Sequence, residues 1–379
     1  GTQRYSTPGL GGTVEVRGGD GGFTFIDQTQ DNIAISSYVR NTYNRSTNGG
    51  LTFPTVLIND GTGSFINPAD YDDVEDILYS YRTASSLYRV LNVSGTFSVG
   101  QITGGFGGTV THLRVSPYSS AGTSTLFIGT ASGRMFRIDN AESTADVTEI
   151  DGPFIGAVSS IDFGASEDQI LLTVSNYGVN SVWESLDGGD TWTNKEGDLP
   201  DMPVRWAMYN PLSRNAVLLA TEAGVWETPN FDTASPNWTI APGFPVVRTD
   251  MLQLRESDQT VMATTHGRGV FTSTFRSVVV SNEDRPTAAV PETHVLGSAY
   301  PNPFNPQTQF TLSVAEPQRV QITLLDSRGR RIRVLQDETM ASSAQHTVTV
   351  DGANLASGLY LVAIEGEKFR DQLRVTLVK

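Results

Sequence analysis

The 379-residue chain contains no cysteine. That excludes a disulfide framework and any thiolate metal site, and it leaves the compartment open, because a large β domain can be secreted without bridges. Histidine is scarce, four residues with none at metal-ligand spacing, so neither a metal site nor a cofactor is expected. No apolar run approaches the roughly 20 residues that span a bilayer, and apolar residues at helical spacing are rare. Basic residues are outnumbered, 26 Lys and Arg against 41 Asp and Glu, for a formal net charge of −15. That balance argues against nucleic acid or an anionic membrane as partner. The chain begins at Gly1 without a leader of basic then apolar residues; a removed export signal and a longer parent chain both fit.

What is present is repetition. Six times an apolar strand, a break of small residues and an aromatic-rich strand follow one another, beginning at Ile33, Ile77, Leu126, Ile170, Val217 and Val261. Successive starts are 44, 49, 44, 47 and 44 residues apart. A period of about 40 to 50 residues with four short strands per unit is the signature of propeller blades. A further strand is expected upstream of each pair, at Phe23–Asp27, Gly63–Ile66, Thr111–Ser116, Val158–Phe163, Val204–Tyr209 and Val247–Leu254. The last unit lacks an outer strand, and Thr13–Val16 is expected to supply it from the N-terminal side, which would leave no open sheet edge. The reading is an all-β chain with a six-bladed β-propeller, within a range of six to eight, over 1–276. A linker follows at 277–294, where periodicity is lost and Pro and acidic residues accumulate. From 295 to 379, six or seven alternating strands suggest a small immunoglobulin-like β-sandwich.

The clearest unit closes on Ser185-Leu186-Asp187-Gly188-Gly189-Asp190-Thr191-Trp192, and a weaker copy reads Ser46-Thr47-Asn48-Gly49-Gly50-Leu51-Thr52-Phe53. The aspartate can accept hydrogen bonds from N–H groups just downstream, the glycines permit positive φ, and the aromatic residue can fold back between strands. The pattern Ser-x-Asp-x-Gly-x-Thr-Trp resembles the Asp-box of sialidases, sortilin-type receptors and related β-propellers. A structural turn is favoured over calcium or substrate binding by Asp187, because an Asp in a Gly-rich turn is normally occupied by its own backbone. The resemblance extends over roughly 13–276 through GGDGG at 18–22, Leu199–Pro203, Glu222–Trp226 and Thr265–Phe271. It marks blade architecture and no single function.

In the C-terminal region, Tyr300-Pro301-Asn302-Pro303-Phe304-Asn305-Pro306, Asp326-Ser327-Arg328-Gly329-Arg330, Leu355-Ala356-Ser357-Gly358-Leu359-Tyr360 and Leu377-Val378-Lys379 stand in order. The prolines give a stiff segment without ladder donors, Phe304 can plug the end of the sandwich, and Gly329 and Gly358 suit tight turns. This looks like the type A C-terminal sorting domain of the type IX secretion system. The resemblance implies Bacteroidota-like export across both membranes to the outer surface or beyond, with the secretion machinery as partner. In the family this domain is commonly cleaved during export; here it is present in the chain as given, so either the protein escapes cleavage or the domain stays as a permanent module.

Chemistry is harder to find. Glycoside hydrolysis needs two carboxylates about 5 to 10 Å apart; Asp20, Asp70, Asp72, Asp73 and Asp250 are candidates, and nothing pairs them. Arg205, Arg248 and Arg268 could point inward, but the Arg-bearing signature of sialidases is missing. The acidic run Asp70–Asp76 is read as a solvated face in preference to a calcium site, and His266 as a structural histidine. The expected function is a secreted or cell-surface, non-catalytic propeller that binds a protein or glycan or serves as an assembly subunit. The alternative is an extracellular glycoside hydrolase acting on polysaccharide.

Overall fold

The computed structural model describes residues 1–5, 12–275, 294–297, 299–326, 330–342 and 346–379. Every element among them is a β-strand. The chain divides into two units, Gly1–Val279 and Val280–Lys379, and the expected linker lies outside the described residues except for His294.

In the first unit six antiparallel meanders follow one another. Their strands run Thr24–Ile26 to Thr55–Asn59, Ala69–Asp72 to Ser98–Thr103, Val110–Val115 to Asp146–Ile150, Val158–Phe163 to Thr193–Asn194, Val204–Asn210 to Thr239–Ile240, and Thr249–Arg255 to Gly269–Thr274. The first five have four strands each and the sixth has three. Successive small meanders of this kind are the blades of a β-propeller. The apolar cores lie between sheets. Ile77, Tyr79 and Tyr81 of the second sheet pack with Leu113, Leu126 and Ile128 of the third, while Leu78 and Val90 face Ile35 and Tyr43 of the first. Strands covered on both faces read as continuous apolar runs, which is why ILYSYR and ILLTVS do not alternate.

Polar contacts fix each sheet against the next at the repeat interval. Asp70 Oδ2 accepts Val115 N at 2.7 Å, and Asp162 Oδ2 accepts Tyr209 N at 2.9 Å. Cations on third strands, and Lys195 just past a fourth, reach carbonyls one sheet onward: Arg45 to Gly95 at 2.7 Å, Arg89 to Ala141 at 2.8 Å and Lys195 to Phe231 at 2.9 Å. Between the sixth and first sheets, Glu256 N donates to Gln28 Oε1 at 3.3 Å.

Three expectations are corrected here. Gly63–Ile66 is loop, and the first strand of the second sheet is Ala69–Asp72. The acidic run therefore enters an inner strand and is not a solvated face: Asp72 is 5% exposed, its carboxylate takes the Ser124 hydroxyl and the Val74 and Glu75 amides. Backbone and hydroxyl donors replace the water these carboxylates give up. Third, Val14–Arg17 pairs with Thr2–Arg4 and not with Gly269–Thr274, so among the described residues the sixth sheet keeps three strands. Arg17 turns this ribbon toward the first sheet, donating to Ser36 O at 3.4 Å.

The second unit is two facing sheets. One orders His294–Leu296, Gln307–Val314 and His346–Asp351; the other Arg331–Met340, Gln318–Asp326, Gly358–Gly366 and Arg370–Leu377. Burial alternates along Gln307–Val314, and Phe310, Leu312 and Val348 meet Ile322, Leu324 and Val362 in one core. His294–Leu296 is a strand that the sequence reading did not anticipate.

Candidate functional site

Adjacent strands run antiparallel, so turns between third and fourth strands gather at one end of the first unit. Turns between second and third strands, and the connections between sheets, gather at the other. The Ser185–Trp192 turn belongs to the first set. Ser185 Oγ donates to Asp187 Oδ1 at 2.8 Å and accepts Gly189 N at 2.8 Å. Asp187 accepts Thr191 N at 2.8 Å and Thr191 Oγ1 at 2.6 Å; these bonds hold its carboxyl below the usual range. Gly189 has φ +102°, and a Cβ there would sit 2.6 Å from Ile150 Cγ2. Trp192 meets Phe154 edge-on at 4.7 Å. The Ser46–Phe53 turn repeats the network: Ser46 Oγ to Asn48 Oδ1 at 2.8 Å, Gly50 N to Ser46 Oγ at 3.0 Å, Thr52 N to Asn48 Oδ1 at 3.1 Å, with Phe53 half-buried against it. A third copy escaped the sequence reading. Thr228 Oγ1 donates to Asn230 Oδ1 at 2.7 Å and Asn237 N returns to the same oxygen at 3.2 Å, ahead of Trp238. A longer loop and the Thr and Asn replacements hide the pattern; the Asn-Trp pair at 237–238 was the available signal.

Charged side chains on the inner strands are engaged with one another. Arg114 lies between Asp162, at 3.3 Å, and Asp70, at 3.9 Å. Burial pushes both carboxyls above their ordinary range against the opposing pull of Arg114. His112, 2% exposed, meets Trp206 edge-on at 5.0 Å, and Phe23 approaches the same indole at 6.4 Å. Burial, reinforced by Arg114, pulls His112 down to about 3, so the ring is neutral near pH 7. At the inter-sheet end of the fifth and sixth sheets, Arg205 Nε donates to Glu222 at 3.0 Å. Asp250 takes Arg248 at 2.8 Å, with His266 at 4.0 Å and largely exposed. Asp73 accepts Gln28 N at 3.0 Å, and Asp20 is exposed. The structure thus brings Asp70 and Asp250 into separate ion-paired clusters and does not join Asp20, Asp72 or Asp73 to either. Among the described residues no group of His, Asp and Glu could hold a metal ion.

In the second unit the separated motifs converge. Phe304, 2% exposed, donates from its backbone N to Thr376 O at 2.8 Å and accepts Val378 N at 3.0 Å. Asn302 Oδ1 accepts Thr376 N at 2.8 Å and its Nδ2 donates to Arg374 O at 2.9 Å. Pro306 O accepts Gly352 N at 2.7 Å, and Lys379 Nζ donates to Ala353 O at 2.7 Å. Tyr360 OH closes the loop before it on Ala356 O at 2.7 Å. Tyr300 stays 82% exposed; Pro301, Pro303, Asn305 and Gly358 are exposed as well. Gly329 lies outside the described residues.

Residues 298–376 match the family described as the secretion system C-terminal sorting domain. The C-terminal unit is therefore similar to an export-sorting domain. Such a sorting tail, of the type IX pathway, implies interaction with the secretion machinery and delivery to the cell surface or extracellular space. No curated protein sequence matches the chain. Solved structures resemble it at low identity. YCF48 from Cyanidioschyzon merolae aligns at 12% identity and TM-score 0.48, over 67% of this chain and 81% of its own. The Niastella koreensis GH74 enzyme aligns at 15% and 0.47, over 93% of this chain and 56% of its own. The Cps50 (Swd1) β-propeller domain of Myceliophteria thermophila aligns at 10% and 0.47, over the full length of both. Among the described residues no helix is long and apolar enough to cross a membrane.

Proposed function

We propose that the exported chain acts through a closed, six-bladed, non-catalytic propeller over 1–276. A linker at 277–294 joins it to an immunoglobulin-like sorting domain over 295–379. The propeller works by binding a surface protein or glycan, or as a subunit of a surface assembly. One observation carries this reading: the inner-strand carboxylates that hydrolysis would need are already committed. Asp70 and Asp162 share Arg114 and hold backbone amides of the next sheet, and Asp250 is paired with Arg248. A carboxylate doing that work is poorly placed to exchange protons with a substrate. Closure is supported by the Glu256–Gln28 contact and by Phe23 meeting Trp206. Ser185, Asp187, Gly189, Thr191 and Trp192, with Ser46, Asn48, Gly50, Thr52 and Phe53, act as structural Asp-box turns. The sorting signal is the end of the sandwich where Tyr300–Pro306, Gly358, Tyr360 and Lys379 meet, with Gly329 included on sequence alone.

The test is incubation of the full chain with a polysaccharide panel and measurement of new reducing ends. No release above a heat-inactivated control is expected. Release that disappears on Asp70→Asn, Asp162→Asn or Asp250→Asn replaces this reading with the glycoside hydrolase.

A further inference from the structure

An open cleft of about 490 Å³ lies at the end of the fourth sheet where sheets connect, between the link that enters that sheet and the link that leaves it, lined by Pro153, Ile155, Val179, Trp183, Glu196 and Asp201 among others. Its two carboxylates are held in place by backbone. Glu196 Oε2 accepts the amides of Ser181 and, at 3.2 Å, Val182; Asp201 Oδ1 accepts Gly178 N at 2.7 Å. The second oxygen of each takes no hydrogen bond among the described residues, and neither side chain has a cation within ion-pair distance there. Burial, with a smaller push from Asp201, holds the Glu196 carboxyl above its usual range. This contrasts with Glu184, Asp162 and Glu222 nearby, which are matched by Lys195, Arg114 and Arg205. The cleft therefore presents uncompensated negative charge beside an apolar wall. Ile155 in this lining and Tyr177, the chain neighbour of the lining residue Gly178, are 71% and 63% exposed.

We propose that this cleft receives an arginine side chain from an extended segment of a partner protein, the guanidinium on Glu196 and Asp201 and the flanking residues on Ile155 and Tyr177. The planar fork of arginine suits two carboxylates that line one cleft, and its stem suits Val179 and Trp183. The exposed rim favours a peptide over a free small cation. The net charge of −15 draws basic segments toward the surface. The inference rests on the binding reading above and names its partner chemistry.

The experiment is fluorescence anisotropy of the full chain with a labelled pentapeptide, acetyl-Val-Thr-Arg-Thr-Val amide, at low salt. Its citrulline analogue serves as neutral isostere and n-butylguanidinium as competitor. Saturable binding is expected, weakened about tenfold or more by citrulline, by Asp201→Asn and by Glu196→Gln, with thermal unfolding of Asp201→Asn unchanged. The competitor should displace the peptide only at much higher concentration. No saturable binding, equal binding of the citrulline peptide, unchanged affinity in both variants, or displacement by butylguanidinium at matching concentration each overturns the proposal. None of those outcomes touches the non-catalytic reading, which falls only on reducing-end release.

Discussion

Lys195 shows how much one side chain can hold in this molecule. It and Glu184 are 6% and 5% exposed and 3.1 Å apart. Lys195 also donates to Phe231 O and Thr233 O, while Glu184 takes Tyr209 OH at 2.9 Å and Gln169 Nε2 at 3.1 Å. Burial and Glu184 raise the Tyr209 hydroxyl well above its ordinary value, so it stays a donor. Lys195→Met would leave the Glu184 charge buried and unmatched, at a cost of about 3–5 kcal/mol. Urea unfolding should show the single variant losing more than the Lys195→Met/Glu184→Gln double variant. An unchanged midpoint for the single variant would contradict the burial of the pair. Nothing in the sequence marks this contact: Glu184 stands across one turn from Lys195, but Tyr209, Phe231 and Thr233, which complete the network, come from the next meander.

At the scale of elements, the turns were legible and the strands before them less so. Ser185–Trp192 declares itself because every bond of its network joins residues at most four apart, a distance a local pattern can record. Ala69–Asp72 was hidden because its carboxylates look solvated until Val115 and Ser124 arrive from the next sheet. The same holds for Glu196 and Asp201: the stretch around Leu199–Pro203 stood out as a blade feature, but the cleft exists only once Ile155 and Trp183 are beside it. The turn itself can be tested with Ser185→Ala, which leaves Gly189 N without its acceptor and should cost about 1–3 kcal/mol. Chemical denaturation reads the loss directly. A variant as stable as the parent would mean that the network follows the fold without supporting it.

At the scale of the whole molecule, the repeat period was plain in the sequence because consecutive sheets bury equivalent strands against each other. How the array ends was not. The expected closing strand pairs instead with Thr2–Arg4, and among the described residues the polar contact between last and first sheets is that of Glu256 with Gln28, while Phe23 before the first sheet approaches Trp206 of the fifth. The absence of cysteine makes the proposed closure directly measurable. Gln28→Cys and Glu256→Cys, introduced together, should be joined by a short bis-maleimide within one chain, to the same extent at every protein concentration. Cross-links that form only between chains and vanish on dilution would mean that the six sheets make an open arc, and would contradict the ring on which the account rests.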